Sequence, residues 1–390
     1  TALLLMVDGQ LNKDVSIKTA YLKRSTMTKP IMRVATTHMK DILNPGDERR
    51  MEMPGFDAEF VDFPHYIMKI TDRIWHDRQV EAIHDYYTPD CPIHTLGGDI
   101  VGAAQVVRNT HDTLESFPDR RLDGDNVIWS DDGDGYFYSS HLISSKMTNL
   151  GASEFGPATG RKILAHTIAD CLCFENKVIR EWLVRDYAGI VLQMGRDIDE
   201  AARHLAEADK ANGFNILNHH ASNREMIKAQ GPLQVSSQAG QESLSVRAFA
   251  GRVLGDIWQN RNASAAMLYY FDRARIRYPS DREFYGPDQL IPLLEEMFVA
   301  FPDMQLSIDH IADIPYLDDV RDIAVRWSFS ATHSGENDSG TGLYGSASNA
   351  PVYMMAVSQW RVKDGYILDD MTIWDDVAFR RQIETQKLGR

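Results

Sequence analysis

The sequence predicts an α+β fold built twice, each half beginning with helices and closing with a curved antiparallel sheet. Three observations predict it. The stretch 154–195 reads as a turn, a long strand over 161–174, a two-residue hairpin turn at Asn176-Lys177, a second strand over 178–185 and a capped helix start at Asp186. Upstream, Ile67, Ile70, Ile74 and Trp75 form one helical stripe, and Val106, Val107, Thr110, Leu114 and Phe117 form another. The same order then recurs. At a spacing of 183 residues, Ile74, Trp75, Arg78, Tyr86, Tyr87 and Ile93 meet Ile257, Trp258, Arg261, Tyr269, Tyr270 and Ile276.

The chain of 390 residues, 43% apolar, is too long for one ordinary core. A formal charge of −15 argues against nucleic acid, which is bound through Lys and Arg on phosphates. Cys91, Cys171 and Cys173 are too few and too oddly numbered for a disulfide framework and read as buried thiols. The apolar stretch 2–7 is far shorter than a membrane span or a signal h-region, so no membrane partner and a cytoplasmic location are expected.

In chain order, 1–64 lacks a sustained period, is punctuated by Pro30, Pro45, Pro54 and Pro64, and reads as an extended arm lying on the core or a partly ordered extension. The first unit spans 65–200. Its helix from His65 and its helix after Gly102, stopped by Pro118, precede strands at 127–129 and 136–146 and the hairpin. The acidic run 131–135 between strands reads as a turn, only superficially like a calcium loop. Residues 201–244 connect the units: 198–211 looks helical, Gly213 ends it, and the polar stretch 222–242 suits a linker. The second unit spans 245–390, with Gly286 and Phe301-Pro302-Asp303 answering Gly102 and Phe117-Pro118-Asp119, and 324–333 answering 139–148.

The hairpin's wording supports a family reading. Gly156, the Pro-Ala-Thr-Gly-Arg turn 157–161, Glu181, Trp182, Asp186, Leu192, Gln193 and Gly195 resemble the pattern of the SnoaL-like polyketide cyclase and ester cyclase families of the NTF2-like superfamily. Residues 331–336 of the second unit are similar to a segment those families carry before the turn. The resemblance implies two tandem NTF2-like, cystatin-like cones, a small-molecule substrate and no cofactor or metal. Single-domain relatives usually pair sheet to sheet between chains, so an internal pseudo-dimer, open to further homo-oligomerisation, is expected. No dinucleotide fingerprint or phosphate loop is present, and His219-His220 lacks a carboxylate at metal-binding spacing.

Alternation on strand 161–174 separates Leu164, His166, Ile168, Asp170, Leu172 and Phe174 from the small residues Ala165, Thr167, Ala169, Cys171 and Cys173. The large face with two ionisable groups reads as a cavity wall, and the small face as the surface that packs on another sheet. His166 and Asp170, about 13 Å apart along the strand, would flank a substrate. His141 on the neighbouring strand and His94 after the helix end complete the expected catalytic set. Trp75, Tyr87, Tyr138, Trp182 and Asp186 are the expected substrate-binding residues, Asp186 having a competing reading as a helix N-cap. Relatives usually carry an Asp directly after the Trp of the second strand; here Leu183 stands there, leaving His166, Asp170 or His141 as proton carriers. In the second unit His166, Asp170, His94 and His141 are answered by Met355, Gln359, Arg277 and Arg326, so the first unit is expected to work. The expected function is cofactor-independent acid/base catalysis, as a lyase, isomerase, cyclase or hydrolase, on a small apolar, aromatic or polyketide-like substrate. The alternative is a non-catalytic small-molecule-binding protein.

Overall fold

The computed structural model describes residues 29–233, 245–336 and 342–389. Two six-stranded sheets repeat one plan. The first holds β1 (Pro92–His94), β2 (Ile100–Val101), β3 (Arg121–Gly133), β4 (Tyr136–Thr148), β5 (Lys162–Phe174) and β6 (Lys177–Arg185) in the order β2-β1-β6-β5-β4-β3. The second holds β7 (Tyr270–Tyr278), β8 (Arg282–Tyr285), β9 (Gln305–Pro315), β10 (Arg321–Thr332), β11 (Pro351–Lys363) and β12 (Tyr366–Trp374) in the order β8-β7-β12-β11-β10-β9. All neighbours are antiparallel except β1 with β6 and β7 with β12. The duplication read from spacing is therefore a duplication of topology.

Matching local chemistry starts the helices of both units. Asp62 accepts from the His65 amide to cap Phe63–Thr71, and Ser245 accepts from the Ala248 amide to cap Val246–Leu254. Each helix runs on into a π turn, Asp72–His76 and Gly255–Gln259. The second helices, Ala103–Ser116 and Pro287–Ala300, follow Gly102 and Gly286 at φ of 87° and 89°. A Cβ there would stand 2.4 Å from the Pro89 carbonyl oxygen and 2.5 Å from that of Asp272, so only glycine fits either position.

The hairpin turn sits one residue earlier than expected. Glu175 and Asn176 take φ of 45° and 69°, the two left-handed residues a tight hairpin needs, and Lys177 already pairs with Phe174. The helix Ile198–Asn212 ends at Gly213 with φ 73°. The stretch read as a linker is partly ordered structure: Ala221–Gln230 is a helix, held by burial of Ile227 and by Arg224 Nη2 donating to the Leu217 carbonyl. Its polar face hid that period, and the remainder at 234–244 lies outside the described residues.

The described part of the arm is core. Met53, Phe56, Phe60 and Phe63 are buried together with Tyr66 and Phe137, and the Asp62 carboxylate also accepts from the Met32 amide. The two sheets face each other, with Leu142, Ile168 and Val184 meeting Met355, Val357, Met371 and Ile373. This reverses the expected faces of β5. Ile168 and Asp170 of the large face fill the contact between sheets, where two layers must interdigitate without voids, while Leu164 at the strand's start is exposed. The small residues turn inward under the helices, where their lack of bulk leaves space.

Candidate active site

That space is a cavity inside the first cone. Thr167, Ala169 and Cys171 of β5 form its floor, His141 and Ile143 of β4 one side, and Glu181, Leu183 and Arg185 of β6 the other, with Trp75 and Thr110 above. It opens through a neck at Asn109, Thr113, Arg120 and Arg185 into a more polar outer chamber. The far wall of that chamber belongs to the second unit: Asp375, Val377, Ala378 and Arg381, at the start of the C-terminal helix Asp376–Leu388.

A histidine, a carboxyl and two arginines meet in this space, beside Tyr87 and Cys171. His141 is buried, burial pulls it down to about 3, and its Nε2 has no hydrogen-bond partner, so a neutral imidazole is held there. Glu181 accepts from the Tyr87 hydroxyl at 2.9 Å, and burial raises its carboxyl above the ordinary range. Arg120 donates to Ser145 Oγ at 3.3 Å, and burial together with the nearby Arg185 lowers it to about 10. Arg185 donates to the Tyr187 hydroxyl at 2.9 Å, and its Nε has no partner. In the outer chamber Asp375 caps the C-terminal helix through the Ala378 amide, and burial raises it to about 7. Arg381 is held by Asp209 and donates to the Gly97 carbonyl.

The expected site residues divide between two places. His141, Trp75 and Tyr87 line the cavity. Asp170, Tyr138 and Trp182 lie on the opposite face of the sheet, in its contact with the second unit. There the Tyr138 hydroxyl donates to Asp170, whose Oδ2 is 3.9 Å from Arg326 Nη1, and the Arg326 guanidinium lies over Trp182. His166, half-buried, is on that face of β5 as well, its pKa lowered by burial and then by Arg277 of the second unit. His94 stands beside Trp182 with its Nδ1 3.2 Å from Asp99. Asp186 caps the helix Tyr187–Gln193 and also accepts from the Ser280 amide of the second unit at 2.8 Å. A strand buried on both faces offers no solvent-facing side to mark its orientation, so alternation alone does not say which face lines the cavity.

The cavity residues that sequence reasoning passed over are Arg120, Glu181 and Arg185, together with Asp375 and Arg381 from the second unit. The repeat contained their signal. The ladder pairs Thr148 with Lys162 and Thr332 with Pro351, which places Val325, not Arg326, at the position of His141. The one-residue slip matters because it exchanges the two faces of a strand. On the same register Arg185 pairs with Thr167 as Trp374 pairs with Ala356, and Glu181 with Cys171 as Asp370 with Trp360. The second cone thus has Val325, Met304, Trp374 and Trp360 where the first has His141, Arg120, Arg185 and Cys171, and all four are core residues. One polar pair survives in both: Tyr270 donates to Asp370 at 2.7 Å as Tyr87 does to Glu181.

Fold and cavity define a tandem α+β protein of two NTF2-like cones, one hollow and one filled. The family described as SnoaL-like polyketide cyclase matches residues 65–194 and 249–383, well over half of the chain, and the protein belongs to that family. Among solved structures, a SnoaL-like polyketide cyclase described as putative from Jannaschia sp. CCS1 is 16% identical over 37% of this chain and 98% of its own, with a TM-score of 0.31. IdmH from Streptomyces antibioticus, titled a putative polyketide cyclase, is 19% identical over 33% and 92%, with a TM-score of 0.27. AclR from Streptomyces galilaeus, titled a putative hydroxylase, is 22% identical over 34% and 76%, with a TM-score of 0.26. No curated protein matches the chain. Among the described residues, no helix is long and apolar enough to cross a membrane, and no group of His, Cys, Asp and Glu could hold a metal ion.

Proposed function

We propose that the protein is an acid/base enzyme working without a cofactor in the first cone, on a small substrate with an apolar or aromatic, polyketide-like body. The observation that carries this reading is the contrast between the cones: positions filled by Val325, Met304 and Trp374 in one hold His141, Arg120 and Arg185 around a cavity in the other. Packing needs none of those polar groups, as the second cone demonstrates, and burying them costs stability. In this reading His141, neutral in the free protein, takes a proton from a carbon next to a carbonyl, its imidazolium being stabilised by the enolate formed beside it. The positive neck orients the substrate's polar end, and the enclosed inner chamber strengthens the charges and hydrogen bonds that act on the developing enolate. Lyase, isomerase, cyclase and hydrolase outcomes all begin from such a polarised carbonyl.

A second reading, ligand binding without turnover, draws on the Tyr87–Glu181 bond. Its counterpart Tyr270–Asp370 sits in a filled cone, so this carboxylate is accounted for by structure and not by catalysis. The two readings separate on one experiment. 2-Tetralone and 1-indanone are incubated with the protein in deuterated buffer and exchange at the carbon next to the carbonyl is followed by NMR, with aryl ester hydrolysis in parallel. Accelerated exchange or hydrolysis that His141→Phe removes supports the enzyme. Saturable binding of the same ketones with no acceleration of either reaction establishes the binder instead.

A further inference from the structure

The geometry points to an organic anion as the natural ligand of the first cone: an apolar or aromatic body in the inner chamber, with a carboxylate clasped at the neck by Arg120 and Arg185. This deepens the proposed function by naming its substrate class, and it rests on that reading only in taking the same cavity as the site.

The argument starts from charge. Arg120 and Arg185 face the same neck, and each is close enough to the other for repulsion to be felt. Among the described residues neither has a carboxylate within ion-pair distance; their partners are the neutral hydroxyls of Ser145 and Tyr187. Several other enclosed arginines are paired, Arg380 with Asp376 and Asp199, Arg381 with Asp209 and Arg361 with Asp322, while Arg224 is held singly by the Leu217 carbonyl. Arg185 feels the Glu181 and Glu154 carboxyls at longer range, but burial pushes both of those carboxyls up toward the neutral form, so neither guanidinium has a charged partner in contact, and a bound anion supplies one.

Position adds a second, independent argument. The two arginines sit where the inner chamber, walled by Ile67, Ile70, Ile143 and Ala169, meets the polar outer chamber. A ligand with an apolar body and one charged end matches that gradient, the body lying in the dry part and the charge at the neck. The Arg185 Nε, buried and without a partner, is a donor left over for it. A planar fork of N–H donors is suited to a carboxylate held by two hydrogen bonds. The second unit supplies the contrast: Met304 and Trp374 close the equivalent place, and the buried charge beside them is paired, with Trp374 Nε1 donating to Asp376, which Arg380 holds.

The test is calorimetric binding of matched probes to the full chain: benzoate, cinnamate and 2-naphthoate against their primary amides, which keep the shape and lose the charge. Each acid is expected to bind about 10-fold or more tightly than its amide, the margin of a charge-assisted pair over a neutral one. Raising the salt should narrow that margin. Arg120→Met and Arg185→Met should each abolish the preference, while Arg120→Lys keeps part of it, with circular dichroism checking the fold of every variant. Amides binding as tightly as acids, a preference that survives both Met variants, or no acid binding at millimolar concentration would each overturn the inference. The wild-type comparison of acid with amide decides the matter even if a variant fails to fold. Acids that bind as expected while no substrate turns over would leave the anion site standing and remove the enzymatic reading instead.

Discussion

The guanidinium carbon of Arg326 lies 3.5 Å from the ring centroid of Trp182, so the second unit places a cation on the tryptophan of the first unit's closing strand. The same side chain reaches Tyr138 at 3.3 Å and approaches Asp170, whose Oδ1 has no hydrogen-bond partner. Arg326→Met therefore leaves a fully buried carboxyl without its cation, and a loss of about 3–5 kcal/mol is expected in urea unfolding. Asp170→Asn added to Arg326→Met should restore much of it. A neutral effect of the single change would mean that Asp170 is held protonated and that no ion pair exists to break.

The contrast between the cones predicts opposite costs at equivalent positions. Trp374→Ala removes a fully buried side chain from the second core and should cost about 3–5 kcal/mol. Arg185→Ala, at the matching place in the first unit, opens onto a cavity that already exists and should cost about 1 kcal/mol or less. Equal losses in parallel denaturant titrations would mean that the first cone is as tightly packed as the second.

Asp370 supplies a dependence on pH whose sign can be worked out. Burial raises its carboxyl from 3.8 to about 7, with Tyr270 and Thr372 donating to it. Between those values the folded protein keeps a proton that the unfolded chain releases. The contribution to stability is thus complete below about pH 4 and lost as pH rises through about 7. Asp370→Asn does not titrate. Its stability relative to the wild type should rise by about 1.4 kcal/mol per pH unit across that window and level off above it. Unfolding curves at pH 5, 6, 7 and 8 check this, and a difference that stays constant refutes it.

His141 is the proton carrier in the proposed reaction, and His141→Phe should lower the exchange rate by about 10²-fold. Burial holds its pKa near 3, so the rate should show no His141 titration anywhere around neutral pH. Asp170→Asn and His166→Asn, on the opposite face of the sheet, should leave the rate within about a few-fold of wild type. Loss of activity in those two variants with His141→Phe still active would move the chemistry to the contact between the units.

The duplication, the helix-then-sheet order, the hairpin and its helix cap are legible along the chain, because each is written in short-range chemistry. Asp186 stands where a strand passes into a helix, Gly102 and Gly286 stand where only glycine fits, and apolar stripes recur at a fixed spacing. What the sequence leaves open is the side of the sheet to which each strand residue belongs. β5 is buried on both faces, so a period of two separates Thr167, Ala169 and Cys171 from His166, Ile168 and Asp170 without saying which set faces the cavity. Long-range packing makes that choice, since the contact of one sheet with the other claims the bulky face and leaves the small one hollow. It also sets the register that exchanges Arg326 for Val325. The outer chamber was likewise beyond local reading: Asp375 and Arg381 follow Arg185 by nearly 200 residues and reach its neighbourhood only because the C-terminal helix folds back across the mouth of the first cone.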